Sequence, residues 1–187
     1  MKIVLASRNA HKIEELRRIA PVIDWVIMPG ELPDPPETGT TFEANALEKA
    51  RFVFAHTGQV CLADDSGLEV DALGGRPGVW SKRYSDEGTS AANNAKLLAE
   101  LGARPDRTAR FRCVLALVGP GVERTASGAC EGVIAFAESG VGGFGYDPLF
   151  VPAGSPRSMA ELAPAEKDAI SHRGAAMAHL DRLIEGL

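Results

Sequence analysis

The chain has 187 residues, with 20 Lys+Arg against 25 Asp+Glu, a formal charge of −5 and a pI near 5.4. That length fits one domain, and 45% hydrophobic against 24% charged residues excludes wholesale disorder. No apolar run approaches the roughly 20 residues a membrane helix needs, the opening residues carry too short an apolar run for a signal peptide, and the acidic balance disfavours a surface that coats nucleic acid. A cytoplasmic protein without nucleic-acid or membrane partners is expected.

In chain order, residues 2–6 read as a short buried strand. Ser7-Arg8-Asn9 opens a helix in which Ile13, Leu16 and Ile19 recur up to Pro21. Residues 22–28 form a second strand, and residues 29–41, rich in Pro, Gly and acid, a loop. Residues 42–55 are helical, with Thr41 as cap and Ala46, Ala50 and Val53 on one stripe. A strand at 60–63 is interrupted at Asp64-Asp65-Ser66-Gly67, after which Leu68, Val70 and Ala72 alternate with acids. A glycine loop at 74–78 leads into a basic stretch, then a helix at 89–101. Strands at 110–118 and 128–136 flank the Pro120-Gly121 turn. A third glycine loop at 140–148 precedes a strand at 149–151, and residues 169–187 close the chain as a helix. Alternating helices and strands followed by consecutive strands predict one α/β domain over residues 1–187, a mixed twisted sheet with flanking helices. Cys61, Cys113 and Cys130 have no C-x-x-C spacing and read as reduced, buried thiols.

Five segments bear chemistry. Ser7-Arg8-Asn9-Ala10-His11-Lys12 sets short polar side chains and two cations at a helix N-terminus, whose unpaired N–H groups suit a phosphate. Plain capping by Ser7 or Asn9 is the alternative. Neither G-x-x-x-x-G-K-S/T nor G-x-G-x-x-G occurs. Asp64 and Asp65 end an apolar strand, where α/β proteins place ligands. In a regular strand they would face opposite ways and could not share an ion. A bend at Ser66-Gly67 is therefore expected to bring one or both to a common Mg²⁺, the alternative being an Asx-type turn. Glu37 in the Pro-rich loop forms a third group with Asn45 and Lys49, which are four apart and share a helix face; Lys49 meets a phosphate or is solvated. In Gly142-Gly143-Phe144-Gly145-Tyr146-Asp147-Pro148, glycines around Phe144 let a flat ring approach a ligand, so Phe144 or Tyr146 stacks on a base or closes the core. Lys167 and Ser171-His172-Arg173-Gly174 offer groups to a base edge or phosphate, or are structural. Together these are the parts of a nucleoside triphosphate site.

In this order the segments resemble the inosine triphosphate pyrophosphatase family, which hydrolyses non-standard purine nucleoside triphosphates. The matching pieces are Ser7 to Lys12, Thr41-Phe42-Glu43-Ala44-Asn45-Ala46-Leu47-Glu48-Lys49-Ala50, the block from Ala63 through Asp64-Asp65-Ser66-Gly67 to Gly75, Pro77-Gly78, Ser81 to Tyr84, Gly142 to Phe150, Met159-Ala160-Glu161-Leu162, Lys167 and Ile170 to Gly174. The resemblance implies an elongated mixed sheet in two lobes around a central nucleotide cleft, a homodimer, Mg²⁺ dependence, and cleavage of ITP, dITP or XTP to the monophosphate and pyrophosphate. It also implies residue roles. Ser7, Arg8, Asn9, Ala10, His11 and Lys12 would bind the triphosphate and Lys49 a phosphate. Asp65 would be general base and metal ligand, with Glu37 and Asp64 beside it on the metal. Ser66, Phe144, Gly145, Tyr146, Asp147, Lys167, His172 and Arg173 would contact substrate. The chain departs from the family pattern at Arg8, where glycine is common, at Ala44, where an acid is common, and at Arg76 and Trp80. The alternatives are a related pyrophosphatase for other modified nucleotides and a nucleotide sensor without turnover; the presence of Asp65, Lys12 and Lys49 disfavours the sensor.

Overall fold

The opening Ile-Val-Leu run becomes β1 (Lys2–Leu5), buried from Ile3 onward. In this computed structural model, which describes all residues Met1–Leu187, β1 has parallel partners on both sides. It pairs with β2 (Asp24–Ile27) from Lys2↔Asp24 to Leu5↔Ile27, and with β3 (Cys61–Val70) at Val4↔Cys61 and Leu5↔Leu62. An uninterrupted apolar strand is what such a sandwiched position requires. The sheet continues through β4 (Thr108–Gly119) and β5 (Val122–Ile134) to the short β6 (Phe150–Pro152), which is antiparallel to β5. The strand order is β2-β1-β3-β4-β5-β6, a six-stranded mixed sheet.

The early helices begin where their caps dictate. Asn9 accepts from the Lys12 N–H to open α1 (Ala10–Ile19), and Arg17 and Arg18 sit in its last turn, favourable to the helix dipole. The Thr41 hydroxyl accepts from the Ala44 N–H to open α2 (Phe42–Thr57), which stops at Gly58 in the left-handed region, φ 64°. Thr89 does the same for α3 (Ser90–Leu101) through the Ala92 N–H.

Two expectations are corrected. The strand at Asp64-Asp65-Ser66-Gly67 does not break: β3 runs unbroken through all four residues. It is held at one end by its ladder with β1, and beyond Gly67 by the Ser81 hydroxyl, which accepts the Leu68 N–H at 2.9 Å. A strand glycine permits a bend but does not impose one. The closing helix is also not continuous. It is three pieces, α4 (Pro164–Ile170), α5 (His172–Met177) and α6 (Leu180–Ile184), separated at Ser171, whose backbone is extended (φ −71°, ψ 157°), and at Ala178-His179. The first break is accompanied by burial of the polar run that follows it: His172 is 5% exposed and Arg173 has no exposed surface.

The chain divides into two compact units, one of Met1–Asp65, Cys113–Gly128 and Arg173–Leu187, the other of Ser66–Arg112 and Ala129–His172. The first has a core of Ile3, Leu5, Leu16, Trp25, Leu62, Leu115, Leu117 and Leu183. The second is built on Leu68, Val70, Leu97, Leu101, Phe111, Ile134, Leu149 and Phe150. Each such buried side chain contributes about 1.5–3 kcal/mol relative to exposure. Cys61, Cys113 and Cys130 are buried and free of disulfides. No helix is long and apolar enough to cross a membrane.

Candidate active site

Because β3 is regular at Asp64-Asp65, the two side chains leave on opposite faces and enter separate networks. Asp64 is sealed. Its Oδ2 accepts from Arg173 Nε at 3.0 Å and from the Cys113 thiol at 3.0 Å, and its Oδ1 from Lys12 Nζ. Arg173 reaches in turn to Glu15, a buried acid on α1. Burial by itself would raise the Asp64 pKa, but Arg173 and Lys12 overcome it and hold the carboxyl well below the usual carboxylate range. Fully buried charges persist only when paired in this way.

Asp65 faces α2. Lys49 Nζ donates to its Oδ1 at 2.7 Å and Asn45 Nδ2 to its Oδ2 at 3.3 Å, so the i, i+4 face foreseen for Asn45 and Lys49 is realised. The same Lys49 nitrogen donates to Glu37 Oε1 at 2.7 Å and to the Asp64 carbonyl at 2.9 Å. Burial pushes the Asp65 carboxyl up from its ordinary value, with Lys49 pulling it back and Glu37 adding to the rise. For Lys49 burial acts downward, yet the two carboxylates raise it overall. Glu37 is delivered because its loop is pinned to α2. Asn45 Oδ1 accepts the Gly39 N–H at 2.8 Å, and Glu48 takes both the N–H and the hydroxyl of Thr38. A side chain at Gly39 would collide with Ala44 and Asn45, which explains the glycine there.

These facts set the metal-ligating candidates apart. Glu37 and Asp65 each place an oxygen 2.7 Å from Lys49 Nζ, so the point they share is held by that ammonium; both carboxylates are hard oxygen donors of the type Mg²⁺ takes. Asp64, expected beside them, is turned to Arg173, Lys12 and Cys113 instead. No group of three or more His, Cys, Asp or Glu side chains is gathered as a metal cluster.

At the head of α1 Asn9 supplies the cap, while Lys12 and Arg8 have protein partners. Asn9 accepts from the Lys12 N–H, and Ser7 Oγ accepts from the Asn9 N–H at 3.2 Å. Ala10 and His11 are exposed in the first turn. Arg8 is directed to the Pro-rich loop, where it binds Asp34 and the carbonyls of Pro29, Gly30 and Leu32. That is a structural use for Arg8.

In the second unit the glycine–aromatic loop is organised by Asp147. Its Oδ2 accepts the Phe144 N–H at 2.8 Å and Lys167 Nζ at 2.6 Å, and Lys167 Nζ lies 4.8 Å from the Phe144 ring centroid. Gly143 has φ 68°, and a Cβ there would strike Asp147 Oδ2. Phe144 stays half-buried, whereas Tyr146 is 4% exposed and donates its hydroxyl to the Ser81 carbonyl at 2.8 Å. Of the two aromatics offered for stacking, Tyr146 closes the core, while Phe144 is half-buried beside Lys167. His172 stacks on Phe111, ring centroids 4.8 Å apart at 16°. Ser66 and Gly145 are half-buried.

Three buried residues with polar partners escaped the sequence reading. Glu15 is an acid inside the apolar stripe of Ile13 and Leu16, which was its signal. Cys113 looks like any core thiol until Asp64 is seen beside it. Asn94, half of an Asn93-Asn94 pair in α3, carries only the hint of two poor helix formers in succession.

Comparison with known proteins converges on one group. A family model, described as Ham1 family, matches residues 3–183. A dITP/XTP pyrophosphatase of Mycobacterium tuberculosis (strain CDC 1551 / Oshkosh) is 51% identical over 195 residues, 96% of this chain and 93% of that protein. The protein of the same name from Nocardia farcinica is 53% identical, covering 96% of this chain and 92% of its own. Among solved structures, a HAM1 protein from Coxiella burnetii aligns over 100% of both chains at 40% identity with a TM-score of 0.90. A nucleoside-triphosphatase / dITP/XTP pyrophosphatase from Mycobacterium abscessus aligns over 96% of this chain and 97% of that one, at 49% identity and a TM-score of 0.78.

Proposed function

Since the chain belongs to the Ham1 family, we propose that it hydrolyses non-standard purine nucleoside triphosphates, ITP, dITP and XTP, to the nucleoside monophosphate and pyrophosphate. The observation that carries the reading is Asp65, a buried carboxylate held 2.7 Å from Lys49 with its pKa pushed up. A carboxylate so placed serves as a general base. In this reading Asp65 takes a proton from a water molecule, the water oxygen bonds to the α-phosphorus, and the bond from that phosphorus to the β-phosphate bridging oxygen breaks. Lys12 and Lys49 are cations suited to the charge that develops on pyrophosphate, the electrostatic contribution that dominates phosphoryl-type transfers. Glu37 and Asp65 would hold Mg²⁺, which when bound supplies charge neutralisation at phosphate oxygens. Asp64 serves through position, its tie to Arg173 fixing β3 so that Asp65 faces Lys49.

Phe144 offers a ring to the base, with Lys167, 4.8 Å from that ring, and His172 and Ser66 as further polar partners of the substrate in this reading. Hypoxanthine and xanthine carry an acceptor at position 6 where adenine carries an amino donor. Site donors aimed at that acceptor are left unpaired by adenine, a penalty on the order of 10⁴-fold. We take the working form to be a homodimer in the cytoplasm; three free thiols agree with a reducing compartment, and sedimentation checks the dimer. The decisive assay is pyrophosphate release from ITP, XTP, dITP, GTP and ATP, each with and without Mg²⁺. Turnover of ITP and XTP far above ATP, and only with the metal, is expected. Equal rates for all five nucleotides would remove the selectivity account, and saturable binding of ITP without pyrophosphate would favour a sensor.

A further inference from the structure

Asn94, on α3, is 3% exposed and has no part in the groups described so far. Its carboxamide nitrogen donates to the Gly145 carbonyl at 3.2 Å and to Glu138 Oε1 at 2.8 Å, which uses both of its N–H groups. Its oxygen is buried and accepts nothing. A buried acceptor left unmet calls for an explanation, and the two hydrogen bonds its amide donates supply one.

What they hold is the backbone beside Phe144. Gly143 and Gly145 flank that residue at φ 68° and 63°, so neither neighbour has a side chain to set the local backbone. The backbone around Phe144 is held from outside: Asp147 accepts the Phe144 N–H and donates its own N–H to the Phe144 carbonyl, and one residue on Asn94 donates to the Gly145 carbonyl.

We propose that Asn94 is a positioning residue for base recognition, its amide locking the Gly145 peptide so that the Phe144 ring is presented to the purine. This rests on the reading that Phe144 meets the base. It places the effect of Asn94 on the base end of the substrate, and neither on the phosphate end nor on hydrolysis itself.

The test replaces the amide donors at nearly constant size, as Asn94→Asp and Asn94→Leu, in the full chain. The expected result is a KM for ITP about tenfold higher with kcat within about twofold, since small misplacement of a positioning group is felt strongly in binding. The Kd of inosine monophosphate, measured by calorimetry, should weaken by the same factor, while inhibition by tripolyphosphate, which has no base, stays unchanged. Glu138→Gln keeps an acceptor for Asn94 and should behave as the parent. Thermal unfolding shows whether each variant is folded, and Asn94→Leu carries the same test if the buried charge of Asn94→Asp prevents folding. Unchanged KM and Kd, a fall in kcat at constant KM, or equal weakening of tripolyphosphate and inosine monophosphate would overturn the proposal. A parent protein that binds inosine monophosphate but releases no pyrophosphate defeats the hydrolytic reading alone, with the calorimetric comparison still deciding Asn94. A parent that binds no purine defeats both.

Discussion

Arg173 donates from Nε to Asp64 Oδ2 at 3.0 Å across 109 residues of sequence, and neither side chain is more than 1% exposed. The same guanidinium binds Glu15, so two buried acids are balanced by the buried Arg173 and the partly buried Lys12. Arg173→Met, which strands Asp64 and Glu15, should cost about 3–5 kcal/mol in urea unfolding. Arg173→Lys should recover only part, because an ammonium cannot reproduce the planar fork. Full stability in Arg173→Met together with a raised KM would instead return Arg173 to the substrate contacts suggested by family resemblance.

Asp65→Asn keeps the shape of the side chain and removes the base. The variant should fold and bind inosine triphosphate, while kcat falls by roughly 10²–10⁴-fold, the usual worth of a positioned general base. Turnover near that of the parent would take the role from Asp65.

Lys49→Met leaves Glu37 and Asp65 facing each other without their shared cation. Loss of about 3 kcal/mol is expected from breaking this buried pair. If those two carboxylates also bind Mg²⁺, the metal should raise the Tm of Lys49→Met more than that of the parent, as read by thermal unfolding across a MgCl₂ titration. Equal shifts in both proteins would separate the metal from Glu37 and Asp65.

The buried thiols give a test with a defined pH. Burial pushes Cys61 up to about 11, the nearby Thr57 hydroxyl offsetting part of the rise, and burial with the charge of Glu131 does the same for Cys130. Cys113 is raised well above the ordinary thiol value, by burial and by Asp64. A raised thiol pKa means little thiolate at pH 8, so native protein should react slowly with a disulfide reagent and unfolded protein fast. Rapid native labelling at pH 8 would contradict the burial of these sites.

The legible parts of this sequence were those governed by local rules. Caps at Asn9 and Thr41, and the shared helix face of Asn45 and Lys49, follow from spacing and hydrogen-bond valence. The path of β3 through Gly67 was not legible, because tertiary partners decided it: β1 at one end and the Ser81 hydroxyl, thirteen residues on, at the other. The depth of Arg173 was equally hidden. A sequence shows a cation after a histidine, but only the fold supplies Glu15 and Asp64 to neutralise it, and only the break at Ser171 accompanies its turn inward. Of the paired-acid motif, the two acids were visible in the sequence, but the separate networks they enter on opposite faces of β3 were not.

The unbroken course of β3 makes Asp64 and Asp65 non-interchangeable. No rotamer change carries either across the sheet, so the chain has two adjacent acids and no spare. Deleting or inserting one residue between Cys61 and Ala63 would invert the strand's faces, sending Asp64 to the side of Lys49 and Asp65 to the side of the guanidinium. Changes of length are therefore tolerable in the turns before and after this strand, but its reading frame has to stay fixed.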